Sequence, residues 1–570
     1  MVLYEKFIGR NRDSFASLDE AKKEYKVTYP ENFNFAYDVM DVLAEKKPNE
    51  LALLYLSNEW EEKRFTFLDL KKWSNKTANY FTSQGIKKGD RVMLVLKRSY
   101  LFWVCMLALH KIGAVAIQAT NMLIGHDFDY RCNAAKIKAV VITADGECTK
   151  HFDDVQDKCP TVTLKFVTKG KKLEGWIDFE EGINSASEEW TRPTGKDEIK
   201  VKDIMLMSFS SGTTGYPKIV MHDFSYPLGH IVTGVFWHRV VEGGLHFTVS
   251  DTGWLKSLWG KFYGQWLGES AILVYDFEKF DGEKILEVLE KFKVTTFCVP
   301  PTMYRFILQH DVKNYDLSSL THCCSAGEAL NAEIFNKWKE ATGLEIHEGF
   351  GQTETTCCVG TLYPFEKPKP GYMGKPTLGY DVALINEDGE EALPGQNAEI
   401  CIKATKDNKP CGLTCGYYEN DEAEEKTWRG GYFHTGDVAY KDEYGHIIYV
   451  GRNDDVIKSS GYRIGPFEVE SVLLKHPAVL EAVVTGYPDK ERGFKVKATI
   501  VLKKGYAPSE ELVLDIQRFV KAETAPYKYP RIIEFVDEFP KTISGKVRRT
   551  VIRQRDIEKY NKLVAEGNAE

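Results

Sequence analysis

Ser208–Lys218 reads Ser-Phe-Ser-Ser-Gly-Thr-Thr-Gly-Tyr-Pro-Lys. The hydroxyls of Ser210, Ser211, Thr213 and Thr214 cluster around Gly212 and Gly215, and Lys218 follows. Glycines take positive φ and turn backbone N–H groups inward, hydroxyls add donors, and a lysine adds a point charge. Together they make an anion cradle suited to a polyphosphate. It is not a Walker A loop, because the lysine stands three residues past the second glycine. The competing reading is a solvent-exposed turn of small residues, and the rest of the chain must decide between the two.

The elements that position this loop follow a βα rhythm. Arg91–Leu96, Ala114–Gln118, Ala139–Thr143 and Ile204–Phe209 read as strands. Between them, Tyr100–Ile112 reads as an amphipathic helix ended by Gly113, and His126–Ala135 as a polar one. A second series runs through strands Ala271–Tyr275, Val294–Val299, Leu320–Ser325 and Glu345–Glu348, with helices ending near Phe292, at Thr302–Gln309 and at Ala332–Ala341. Alternation of this kind means parallel sheets, whose ligands bind beyond the carboxyl ends of strands. The loops at 208–218, 325–328 and 349–354 all fall there, which argues for one site.

Upstream, the first thirty residues read as an arm over the surface, Phe33–Leu43 as a helix and Leu51–Tyr55 as a strand. Short strands and Gly/Asp turns fill about 371–450, a β-rich subdomain of an N-terminal domain ending at 453. The charged stretch 449–458 reads as a linker with a hinge at 454–458, and 459–570 as a mobile α+β C-terminal domain. The fold class is therefore α/β, a large domain of βα subdomains followed by a small one.

A chain of 570 residues exceeds one core, and 43% hydrophobic with 28% charged residues is ordinary for a globular protein. The net charge of −8 argues against nucleic acid as a partner. Ser99–Leu109 is too short to span a membrane. Twelve cysteines without a visible signal peptide or zinc spacing read as free thiols in a reducing cytoplasm.

The ordered set of motifs goes further. It comprises Ser210–Lys218, Ser250-Asp-Thr-Gly-Trp254, Ser325-Ala-Gly-Glu328 and Gly349-Phe-Gly-Gln-Thr-Glu354. It continues with Tyr432-Phe-His-Thr-Gly-Asp437, Gly451-Arg-Asn-Asp-Asp455, Ser460–Glu468 and Pro540-Lys-Thr-Ile-Ser-Gly-Lys546. The chain resembles the adenylate-forming superfamily from about Phe33 to Arg549, most closely its medium-chain acyl-CoA synthetases. The resemblance implies a carboxylate and ATP forming acyl-AMP and pyrophosphate, then thiol attack by coenzyme A. ATP, Mg²⁺ and coenzyme A are the implied cofactor and substrates, a short-to-medium or branched carboxylic acid the small-molecule partner, and homo-oligomerisation is left open.

Site roles follow from the same resemblance. Ser210, Ser211, Gly212, Thr213, Thr214, Gly215 and Lys218 would hold phosphates, with Glu354 and Thr213 on Mg²⁺ and Thr214, Glu354 and Lys546 catalytic. Gly327, Glu328, Glu348, Gly349, Phe350, Gly351, Gln352 and Thr353 would bind ATP, Phe350 stacking on adenine with Gly327 and Glu328 along the base edge, and Asp437 and Arg452 would meet the ribose. Trp254, Trp259, Val299 and Gly351 would line the acyl pocket, a glycine at 351 leaving room where acetate-activating relatives carry tryptophan. Ser460, Gly461, Tyr462, Arg463 and Arg492 would meet coenzyme A after rotation about Asp454. Lys256 and His230 have no role in this reading. The alternatives are an enzyme delivering to a carrier protein and a silent nucleotide sensor; the presence of Glu354, Asp437 and Lys546 disfavours the sensor.

Overall fold

The βα rhythm builds two mixed sheets in the larger part of the chain. The computed structural model describes residues 1–169, 172–210, 217–460, 462–541 and 547–566, with the backbone alone for Arg463. Strands Arg91–Val95, Val115–Gln118, Ala139–Thr143, Leu164–Thr168 and Ile204–Ser210 pair in parallel. Their residues are apolar at most positions and buried, as a sheet covered on both faces requires. Ile204–Ser210 returns as the antiparallel strand Lys218–Asp223, which sets Ser210 opposite Lys218.

The second sheet pairs Leu245–Thr248, Ala271–Asp276, Thr296–Cys298, His322–Ala326 and Ile346–Phe350 in parallel. Thr248, Cys298, Ala326 and Phe350 therefore end neighbouring strands along one edge. Between the sheets lie the helices Leu101–Ile112, Tyr226–Ile231 and Tyr263–Leu267, in a core that includes Trp103, Trp237, Trp259 and Trp266. Leu101–Ile112 was expected to be amphipathic but is buried all round; Lys111 goes inside because Asp41 pairs with it at 2.8 Å.

The first thirty residues run mostly exposed, as expected of an arm over the surface, but the arm is anchored in the interior. Leu3, Tyr4, Phe7 and Ile8 recur at helical spacing and enter the main core, and the Tyr4 amide bonds to the carbonyl of Leu267 at 3.1 Å. The helix expected at Phe33–Leu43 opens instead with the wide turn Ala36–Asp41 and continues as Val42–Lys46.

The chain divides into two units, and not at residue 453. One holds 1–330, 334–381 and 404–431; the other holds 331–333, 382–403 and 432–570. The reason is pairing. Val382–Ile385, Ala398–Lys403, Tyr432–Lys441 and Ile447–Arg452 pair in antiparallel fashion, and Tyr449 meets Phe467 of the C-terminal segment. That segment adds a second sheet, centred on Val479–Asp489 and Gly493–Leu502, and the helices Pro466–Leu473, Glu510–Glu523 and Arg549–Ala565. Among the described residues no helix is long and apolar enough to cross a membrane.

The large unit buries several of its histidines neutral. Burial lowers His110 and His246 to about 3 and His222 and His347 to about 4, from an ordinary value of 6.5. Hydroxyls stand in for water: His246 lies 2.7 Å from both Thr296 Oγ1 and Thr248 Oγ1. Such a group contributes its full stability above pH 6.5 and loses it as pH falls towards the folded value, by up to about 1.4 kcal/mol per pH unit for each imidazole. The melting temperature is expected to drop steadily between pH 6.5 and 4.5, before most carboxylates titrate. A melting temperature constant from pH 7 to 5 would contradict this.

Candidate functional site

In the larger unit, the strand turn Ser210/Lys218 brackets the phosphate-loop candidate. Ser211, Gly212, Thr213, Thr214 and Gly215 lie outside the described residues. The Lys218 ammonium stands 5.3 Å from the ring centroid of Tyr417, and the Tyr417 hydroxyl donates to Glu354 Oε1 at 2.9 Å. The backbone around Glu354 is fixed as well. Thr414 N–H donates to its carbonyl at 2.7 Å, and His222 Nε2 lies 2.8 Å from the carbonyl of Thr353. Because burial keeps that imidazole neutral, its Nε2–H is the donor.

The loops at the strand ends are tied to one another. Glu328 accepts from the Thr302 hydroxyl at 2.6 Å, and Gly327 takes a φ of 98°. Lys256, unexplained by sequence, donates to the carbonyl of Ala326 at 2.6 Å. Glu348 turns inward: it is 5% exposed and accepts from the Leu330 amide at 3.0 Å, and burial lifts its carboxyl to about 8. Phe350 ends its strand half-buried, and the amide of Gln352 donates to Thr355 Oγ1 at 2.9 Å. His230, also unexplained by sequence, is a buried member of the aromatic core against Tyr226 and Tyr263.

Gly351 does not open the room that its lack of a side chain implied. A Cβ there would stand 2.4 Å from Trp259 Cη2 and 2.3 Å from the carbonyl of Thr356. The indole of Trp259, 6% exposed, already covers that face. Gly349 is covered in the same way by Trp237, whose ring centroid is 6.3 Å from that of Trp259. Two tryptophans from another part of the chain thus fill what the glycines vacate. Val299 is buried and Trp254 half-buried.

In the second unit, Asp437 is 4% exposed and stands opposite Arg452 in its ladder. Its oxygens accept from Tyr449 at 2.8 Å and from Arg452 at 3.4 Å, and a carboxylate retains acceptor capacity beyond one bond per oxygen. The turn before it needs Gly436, at a φ of 73°. Glu399 holds that turn, accepting from the Gly436 amide at 2.8 Å and meeting His434 Nδ1 at 2.9 Å. Ser460 and Arg492 come together through a backbone bond of 2.9 Å and a side-chain bond of 3.2 Å, while Tyr462 stacks on Tyr527. The side chain of Arg463, Gly461 and Lys546 lie outside the described residues. Asp454, expected in an exposed linker, is tied: Arg553 donates to its carbonyl and pairs with Asp455 at 3.0 Å.

Tyr417, Tyr449, Glu399 and His222 are the residues that sequence reading missed. Each acts on a neighbour from another element, and only Tyr449 lay in a stretch already singled out.

The strand pair Ser210/Lys218 has the Glu354 carboxylate within reach of Tyr417 beside it, and the second unit carries the buried Asp437 joined to Arg452. The chain belongs to the AMP-binding enzyme family: that family's model matches residues 40–418, and the AMP-binding enzyme C-terminal domain matches 468–546. It is similar to the mitochondrial acyl-coenzyme A synthetase ACSM3 of Mus musculus, 38% identical over 97% of this chain and 96% of the relative. With ACSM4 of Homo sapiens it shares 39% over 92% and 91%. Among solved structures it resembles the anthranilate CoA ligase AuaEII in complex with anthranoyl-AMP, with a TM-score of 0.85 and 28% identity over 93% of this chain and 98% of that one. A Brucella canis acyl-CoA synthetase gives 0.72 and 30% over 96% and 100%. The protein is an AMP-forming acyl-CoA synthetase that uses ATP and coenzyme A. The expectation of a cytoplasmic location is withdrawn, because these mammalian relatives are named as mitochondrial enzymes.

The raised Glu348 carboxyl generates a pH dependence. At neutral pH it is protonated; as pH rises through about 8 it gains a charge it cannot solvate, beside the Gly327–Leu330 turn. Adenylation by the parent is expected to fall above pH 8. Glu348→Gln, isosteric with the protonated form, should keep its rate there while matching the parent within a few-fold at pH 7. An identical alkaline limb in both would rule out this carboxyl as its source.

Proposed function

We propose that the acid activated is short or compactly branched. The observation carrying this is the Trp259 indole seated on Gly351, which shortens a channel that the glycine alone would lengthen. Apolar walls with few polar groups suit such a chain.

The roles of the residues are part of the same reading. Lys218 and the hydroxyl loop bind the β- and γ-phosphates. Glu354 offers the hard oxygen that Mg²⁺ takes when it keeps waters and substrate phosphates, so the donor set fits that ion, with Thr213 as a second oxygen. Bound there, the ion would neutralise phosphate charge as pyrophosphate leaves. Gly327 to Leu330 and Gly349 to Thr353 border the base, with Phe350 stacking on it. Asp437 accepts from the ribose hydroxyls, supported by its two donors. Lys546 bridges the acid and the α-phosphate, a role that rests on the Pro540–Lys546 motif. Rotation about Asp454 would then bring Ser460, Gly461, Tyr462, Arg463 and Arg492 to coenzyme A; it has to release Arg553 from Asp454 and Asp455. Residence in mitochondria is part of the proposal, resting on the relatives' names and tested by fractionating cells that express the full chain.

A panel of straight and branched acids, assayed for pyrophosphate release, tests the pocket. The parent should favour short and branched acids over octanoate. Trp259→Leu, and Trp259→Ala where it folds, should shift the optimum to longer chains. Each accommodated methylene is worth about 1–3 kcal/mol, roughly ten- to two-hundredfold in kcat/KM. An unchanged profile in a variant of normal melting temperature would show that the pocket lies elsewhere.

A further inference from the structure

Tyr417 touches two charged groups of the phosphate side and is itself neutral. It sits on the short strand Gly416–Tyr417, which pairs with Met221 and Val220 of the strand that begins at Lys218. Its amide donates to Glu424, whose carboxylate pairs with Lys406 at 2.6 Å, and the Thr414 hydroxyl bonds both the amide and the carbonyl of Gly416. The ring is 7% exposed, so its place is set by the fold. From there the hydroxyl reaches Glu354 at 2.9 Å and the ring face receives the Lys218 ammonium at 5.3 Å. Burial and the nearby Glu354 carboxylate raise the phenol's pKa further above its ordinary value, which keeps the O–H a donor.

An ammonium and a carboxylate meant for phosphate and metal tend to neutralise each other when they share a site. An aromatic face attracts a cation without carrying charge, and a hydroxyl holds a carboxylate oxygen without neutralising it. We propose that Tyr417 is the positioning residue of the phosphate and metal site. It aims the Glu354 carboxylate through its hydroxyl and seats Lys218 through its ring, holding each group without adding a charge of its own. The inference rests on the reading of Glu354 as the metal carboxylate and Lys218 as a phosphate cation.

Outer partners of metal ligands are typically worth 10- to 100-fold in metal affinity or activity. Tyr417→Phe keeps the ring and loses the hydroxyl; Tyr417→Leu loses both. With Mn²⁺ as probe, electron paramagnetic resonance of the full-length enzyme with ATP reads metal affinity independently of turnover. Tyr417→Phe should weaken Mn²⁺ binding about 10- to 100-fold and lower kcat for adenylation, with KM for ATP within about twofold of the parent. Tyr417→Leu should raise KM for ATP as well. A Tyr417→Phe enzyme with the parent's Mn²⁺ affinity overturns the proposal, whether its kcat is unchanged or has fallen together with melting temperature as a merely structural role would make it. If the parent with ATP binds no Mn²⁺, the reading of Glu354 fails rather than that of Tyr417.

Discussion

Opposite charges have to be kept close and yet unspent in a site that handles a polyphosphate. Electrostatic help in such a site is worth most where dipoles and charges are fixed before the substrate arrives. Here the fixing is done by strand pairing. Ser210 faces Lys218 across a hairpin, the strand of Lys218 carries Gly416–Tyr417 on its flank, and Tyr417 bonds Glu354. Asp437 is held by the same device in the other unit, its neighbour Arg452 being its ladder partner and Tyr449 the second donor. The charged atoms sit where the ladders put them.

The interior that supports this edge is unusual in its polarity. His110, His222, His238, His246, His322 and His347 are buried among tryptophans and phenylalanines, several of them bonded to threonine hydroxyls or backbone carbonyls. A buried neutral imidazole is rigid when its nitrogens are satisfied and costly when they are not. His222 links this interior to the site, since its bond to Thr353 lies one residue from Glu354. The two indoles on Gly349 and Gly351 likewise tie this interior to the end of the strand Ile346–Phe350.

Much of this was legible in the residues. Continuous apolar runs ending in glycine-rich loops announced parallel strands, and their boundaries hold to within a residue or two because a buried strand has to stop where polar residues begin. The motif residues could be ordered along the chain for the same reason. What stayed hidden depends on contacts between distant segments. Gly351 read as empty space because placing Trp259 in the same pocket did not say that its indole comes to rest on the glycine. Tyr417 looked like one tyrosine among many until its strand found Met221. The division into units escaped for a similar reason: the strands 382–403 and 432–452 were counted with what precedes them, whereas their packing joins them to the C-terminal segment. The last helix, Arg549–Ala565, has so many charged positions that only Ile552 and Asp556 are buried, and no apolar period marked it.

The central claim is that the acid is activated on the enzyme as an acyl-AMP before coenzyme A takes part. Exchange of labelled pyrophosphate into ATP tests it most directly. With a short branched acid present and coenzyme A absent, label should enter ATP, because acyl-AMP formed on the enzyme reverses; omitting the acid should abolish the exchange. Exchange that requires coenzyme A, or that proceeds without any acid, would contradict the account.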